Sequence, residues 1–219
     1  MSTTFRQAEV DMEKRKRPSL AERRAGELRL DIARAARDLF IAQGDTSATI
    51  EQICDTVGIV PRTFHRHFPA KEDVLGPLFR RSETIMTDVL TEAAIDADPV
   101  DVLVDVFTSE VIVRQSPDFD RKFMALMVNT PQYRLRWMEW GESLCEPITE
   151  FLSTRFDLGA DEFLRCMPAR LVVHISRHAY MVWAEGKESD DTAALVDLHR
   201  RGIGQLIAGL RSATSARLA

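Results

Sequence analysis

The stretch Thr49-Ile50-Glu51-Gln52-Ile53-Cys54-Asp55-Thr56-Val57-Gly58-Ile59-Val60-Pro61-Arg62-Thr63-Phe64-His65-Arg66-His67-Phe68-Pro69-Ala70-Lys71 decides how the chain is read. Thr49 and Gln52 form a capping box, in which each side chain satisfies a backbone N–H that a new helix leaves open. Ile50, Ile53 and Val57 then recur at helical spacing, and Gly58 stops the helix as a left-handed cap. A second short helix follows from Val60 to His67, with Phe64 and Phe68 four apart on an inward face. Pro69 to Asp73 breaks the chain and opens the next helix, where Glu72 and Asp73 suit the positive end of its dipole. A helix, a glycine turn and a second helix with a free outer face are the parts of a helix-turn-helix.

That outer face carries Val60, Pro61, Arg62, Thr63, His65 and Arg66. Arg62 can donate two hydrogen bonds to a guanine, and Thr63 can meet a base edge, a thymine methyl or a phosphate. Thr49 is a further DNA-binding candidate, His65, His67 and Lys71 are expected beside the phosphate backbone, and the free amides near Lys71 add an anion site.

Upstream, Ser19 and Glu22 make another capping box, and Leu28, Ile32, Ala35, Ala36, Leu39 and Phe40 line a long helix from Leu20 to Gln43, stopped at Gly44. The net charge of −5 is unevenly spread: residues 1–80 hold 14 Lys/Arg against 12 Asp/Glu, and the remainder holds 15 against 22. Between Lys14 and Arg37, nine basic residues face three acidic ones, as a footprint for phosphate would. Residues 1–18 read as a mobile basic arm ending in Lys14, Arg15, Lys16 and Arg17, which either touches DNA or serves as a solubilising tail.

Downstream, Asp98-Pro99, Ser116-Pro117 and Thr130-Pro131 each place a capping side chain before a helix-starting proline. They predict helices over 99–114, 117–128 and 131–155, the last interrupted near Pro147, and two more over 160–185 and 190–212. The fold class is therefore all-α, with about nine helices and no sheet. Its divisions are the arm 1–18, a three-helix DNA-binding unit 19–70, a larger helical unit 71–213 and a tail 214–219.

The stretches Ile32–Phe40, Gly44, Thr49–Ile53, Val57–Ile59, Thr63–Phe68 and Lys71-Glu72 resemble the TetR family of transcriptional regulators. The match spans residues 29 to 76. The resemblance implies a homodimer on a palindromic operator, most simply a repressor released when a small apolar molecule binds the larger unit. It also implies a four-helix dimer interface, for which Leu171, Ile175, Val182, Leu195, Leu206 and Leu210 are the candidates. Val60, Arg62 and His65 depart from residues usual in the family, which puts base preference in question rather than docking mode.

For the binding pocket, the Met- and aromatic-rich middle helices propose Phe107, Phe123, Met127, Trp137 and Met138, side chains that equally serve as core. Arg177 could meet an acidic ligand group. His174 and His178, four apart, could share a metal or make polar contacts. No third ligand accompanies them, so no metal and no cofactor is expected. No hydrolase, metalloprotease, Walker or dinucleotide motif occurs, which argues against an enzyme. Three scattered cysteines, no membrane-length apolar run and no secretory leader point to the cytoplasm.

Overall fold

The computed structural model describes residues 19–186 and 192–218. Lys14 to Arg17 lie outside them. Ten α-helices and two 3-10 turns make up the described chain. Helices α1 (Leu20–Gln43), α2 (Ile50–Val57) and α3 (Pro61–His67) form a headpiece, joined by the 3-10 turn Lys71–Leu75 to α4 (Gly76–Glu92). The body continues with α5 (Pro99–Arg114), α6 (Pro117–Asn129) and α7 (Pro131–Gly141). A 3-10 turn at Glu142–Leu144 leads to α8 (Cys145–Ser153), α9 (Glu162–Ala184) and α10 (Thr192–Leu218).

Both expected capping boxes form. Ser19 Oγ accepts from Glu22 N at 3.1 Å while Glu22 accepts from Ser19 N at 2.7 Å. Thr49 Oγ1 accepts from Gln52 N at 3.2 Å and Gln52 returns the bond at 2.8 Å. Two boundaries differ from expectation. The stretch 131–155 breaks at Glu142–Leu144 rather than at Pro147, which sits in the first turn of α8, where its missing N–H removes no helical bond. That break adds the tenth helix. Residues 214–218 continue α10 instead of forming a tail. Pro168 lies inside α9, where it leaves the carbonyl of Leu164 without its helical donor. Leu164 is exposed, so water can serve that carbonyl.

The core comes in two clusters. One joins Ile32, Ala36 and Phe40 of α1, Ile53 of α2 and Phe64 of α3 to Val74 and Leu75, and continues into the body through Met124, Met127, Tyr133 and Trp183. The other packs Leu103 and Val104 of α5, Ile148 and Leu152 of α8, Val172 of α9 and Ile203 and Ile207 of α10. Burying one such side chain contributes about 1.5–3 kcal/mol. Because the first cluster crosses from headpiece to body, a boundary at residue 70 divides the chain but not its core.

Leu195 belongs to that shared cluster and has no exposed surface, so it cannot meet a partner as expected. Met127 is fully buried in the same cluster with Phe123, which makes both core rather than pocket wall.

Candidate nucleic-acid interface and body cleft

Phe64 is fully buried and Phe68 nearly so, their rings 5.1 Å apart, and this pins the inner face of α3 against α1 and α2. Gly58 takes φ +74°, and Ile59 N donates to Cys54 O at 3.0 Å to close the turn. Val60, Pro61, Arg62, His65 and Arg66 are consequently exposed together on the opposite side, with Thr63 half-buried at its edge. No side chain caps α3. Pro61 at its first position and the basic His65 and Arg66 in its last turn match the polarity of its ends. Thr49 stands exposed at the start of α2, and its hydroxyl proton stays available after it accepts from Gln52.

Two expected phosphate contacts are placed elsewhere. The His67 ring, three residues after Phe64, shares its inward side, and neither ring nitrogen reaches solvent or a partner. Burial, then the nearby Arg29 and Arg66, holds its pKa below the ordinary value, so it stays neutral. Lys71 turns its ammonium back into the headpiece, donating to Thr46 O at 2.8 Å and Ala48 O at 3.1 Å. It lies 5.9 Å from the Phe40 ring centroid and clamps the loop that leads into α2. On α1, Arg34 and Arg37 pair with Asp31 and Asp38 at 3.2 and 2.9 Å, and Arg37 also stacks over Phe119 of α6. Among the described headpiece residues, Arg62 and Arg66 of α3 and Arg23 and Arg24 of α1 are exposed.

Within the body, α4, α5, α7 and α9 surround a small cleft of about 70 Å³. Its walls include Phe79, Glu83 and Met86 of α4, Phe107 of α5, Trp137, Trp140 and Gly141 of α7, and Val173, Ser176, Arg177 and Tyr180 of α9. Of the pocket residues expected from sequence, Phe107, Trp137 and Arg177 line it. Met138, His174 and His178 do not; all three are exposed, the histidines on the outer side of α9. Among the described residues no group of three or more His, Cys, Asp or Glu side chains is gathered for a metal.

The polar part of the cleft is tightly wired. Arg177 donates to Met138 O and to Glu142 Oε1 at 2.9 Å, and that bond holds the Glu142 carboxyl below the usual range. Ser176 Oγ lies 3.1 Å from His199 Nε2, whose other nitrogen is 2.8 Å from Leu195 O. Burial pushes His199 down to about 4. Tyr180 gives its hydroxyl proton to Phe107 O, and burial raises its pKa. Sequence reasoning missed Ser176, Tyr180 and His199. The available signal was a lone polar residue at 199 inside the apolar stripe Leu195, Leu198 and Ile203.

The helix that walls the cleft also touches the headpiece. Tyr133 of α7 donates to Lys71 O at 3.4 Å and meets the Phe40 ring edge-on at 5.5 Å. One turn further, Arg136 pairs with Asp73 at 3.0 Å.

Residues 32–76 match the family model for bacterial regulatory proteins of the tetR family. The headpiece is a TetR-family DNA-binding domain. The HTH-type transcriptional regulator TcmR of Streptomyces glaucescens is 46% identical over 57 residues, which are 26% of this chain and 25% of that relative's own length. Likeness to solved TetR-family structures runs through the body as well. Salmonella enterica GusR superposes with a TM-score of 0.58 at 20% identity, covering 84% of this chain and 96% of that one. Thermus thermophilus FadR, a TetR-family repressor in complex with lauroyl-CoA, gives 0.55 at 20% identity over 83% and 94%. At such identities the likeness establishes the fold. No described helix is long and apolar enough to cross a membrane.

Proposed function

We propose that this TetR-type chain is a transcriptional repressor that binds a palindromic operator as a homodimer and leaves it when a small, largely apolar molecule occupies the body cleft. One observation carries the reading: α7 presents Trp137, Trp140 and Gly141 to the cleft and Tyr133 and Arg136 to the headpiece. A molecule that reshapes the cleft must act on the same rigid helix that holds Lys71 and Asp73. It can shift the headpiece only through a difference in affinity between the two arrangements. The relatives support the reading by analogy, since one is a repressor held with an acyl-CoA.

A dimer follows from the reach of one headpiece, which reads only a few base pairs. Two recognition helices must stand about one DNA turn apart, ~34–36 Å. The surface best suited is the outer side of α9, where Phe163, Leu164, Met167 and Leu171 remain exposed. Ile175, Val182, Leu206 and Leu210 are already half-buried within the protomer and would complete the edges.

Selection of bound duplexes from a random pool tests the operator. An inverted repeat with half-sites one turn apart is expected; enrichment of no sequence overturns sequence-specific regulation.

A further inference from the structure

We infer that Lys71 governs DNA binding without touching DNA: it is a positioning residue whose ammonium sets the loop 45–49, and through that loop the place at which Thr49 and the start of α2 meet the phosphate backbone. The inference needs only a headpiece that binds DNA and is independent of the effector reading above.

The loop has little fastening of its own. Ser47 N donates to Asp45 Oδ1 at 2.8 Å, which turns the chain locally but ties it to nothing else. The carbonyls of Thr46 and Ala48 accept from Lys71 Nζ at 2.8 and 3.1 Å, and among the described residues no other donor reaches either of them. A carbonyl withdrawn from water and left without a donor is costly, so the loop keeps this course while the ammonium is there to hold it. Exposure alternates along it: Thr46 is half-buried and Ala48 buried, while Asp45, Ser47 and Thr49 are exposed. The clamp thus grips the two inward residues and leaves Ser47 and Thr49 turned outward. Thr49 is also the cap of α2, so the course of the loop fixes where that helix begins.

The lysine is anchored at its other end. It opens the 3-10 turn Lys71–Leu75, whose Val74 and Leu75 have no exposed surface, and Ala70 N donates to Asp73 Oδ2 at 3.2 Å just beside it. Its ammonium lies 5.9 Å from the ring centroid of Phe40, which is itself fully buried. An ammonium has three N–H groups, and two of them are committed to the loop. Swinging out to a phosphate would strand both carbonyls in exchange for one new partner. The geometry therefore favours a lysine that stays in place and acts through Thr49.

The test uses the full-length protein, the operator duplex selected as above and a mixed-sequence duplex of the same length. Lys71→Met keeps an apolar stem beside Phe40 and removes the donors. Operator affinity should fall about tenfold or more, since two charge-assisted bonds are lost. The slope of log affinity against log salt should match the parent on both duplexes, whereas loss of a phosphate ligand would lower it by about 0.9 for each copy bound. Thr49→Asp keeps a cap on α2 and sets a carboxylate against the phosphate. It should cost about tenfold in the parent and less than about threefold in the Lys71→Met background, because Thr49 is already misplaced there. A merely destabilising Lys71→Met would leave that penalty whole. A lowered salt slope, an undiminished affinity or a full Thr49→Asp penalty in Lys71→Met overturns the inference. Should Lys71→Met fail to fold, acetylation of the parent protein decides, read lysine by lysine in a mass spectrometer. Lys71 should react slowly beside the exposed Lys122 both with and without DNA; protection that appears only with DNA would make it a phosphate contact and overturn the inference. If selection enriches no operator, sequence-specific regulation falls, while the salt slope and acetylation on the mixed-sequence duplex still decide the role of Lys71.

Discussion

Arg62 and His65 stand outward on α3 because Phe64 between them is turned fully into the headpiece core. Replacing Arg62 by alanine is expected to relax base preference at one position of each half-site and to cost about 1–3 kcal/mol there, read from binding to operators substituted at single positions. Lys71 was equally conspicuous in sequence, yet its ammonium closes the loop before α2. Sequence spacing placed both residues near the end of a DNA-reading unit, and only the packed structure shows where each side chain turns. His199 gives a prediction in pH. Its ordinary value of 6.5 falls to about 4 on burial, so below pH 6.5 the unfolded chain binds the proton that the folded chain refuses. Its contribution to stability is thus complete above pH 6.5 and declines as pH falls toward 4, by up to ~1.4 kcal/mol per pH unit. Urea unfolding at pH 7 and pH 5 should show a slope that His199→Gln flattens.

At the scale of the element, the helices with a capping side chain before a proline or an apolar run were legible from local chemistry. The starts at Leu20, Ile50 and Pro99 follow a side chain that accepts from a helix N–H, whereas Ser116 and Thr130 make no such bond and the starts at Pro117 and Pro131 rest on the proline. The break at Glu142–Leu144 was not legible, since no glycine turn or proline marks it and Pro147 drew attention away. Its position brings Glu142 under Arg177, a contact across 35 residues that local pattern cannot contain. Helix α7 carries the prediction at this scale. Combining Tyr133→Phe with Arg136→Ala removes the bonds to Lys71 O and Asp73 while leaving the cleft walls untouched. The expected outcome is operator and effector affinities within about threefold of the parent and a much reduced response of one to the other. Each severed contact is partly exposed and contributes about 1 kcal/mol or less, so the fold should survive. Parallel titrations of operator with and without effector check it; an unaltered response would remove α7 as the link.

The whole molecule is held as one piece by a core that passes from α1 through Val74 and Leu75 into α6 and α7. The same packing leaves an apolar strip outside: Leu164 is 48% and Leu171 43% exposed on α9. Leu171→Glu places a charge in the middle of that strip, where a two-fold contact would set it near its own copy. We expect a monomer in sedimentation, an unchanged fold by circular dichroism, and operator affinity reduced at least a hundredfold because two half-sites must then be occupied independently. A stable dimer with parent-like affinity would place the interface elsewhere.

Amino-acid order alone determined the all-α class, the helix starts and the helix-turn-helix, because caps, glycine turns and helical periodicity act over a few residues and need no distant partner. It also assigned the exposed face of α3, since the aromatic pair Phe64 and Phe68 leaves that face no other role. Tertiary structure alone decided which apolar and polar residues meet. It put Met127 and Leu195 in the core, His174 and His178 outside, and Ser176 and Arg177 on one cleft with His199 buried against Ser176. Those assignments depend on the angles at which α7, α9 and α10 cross, and these are settled by packing between segments far apart in the chain.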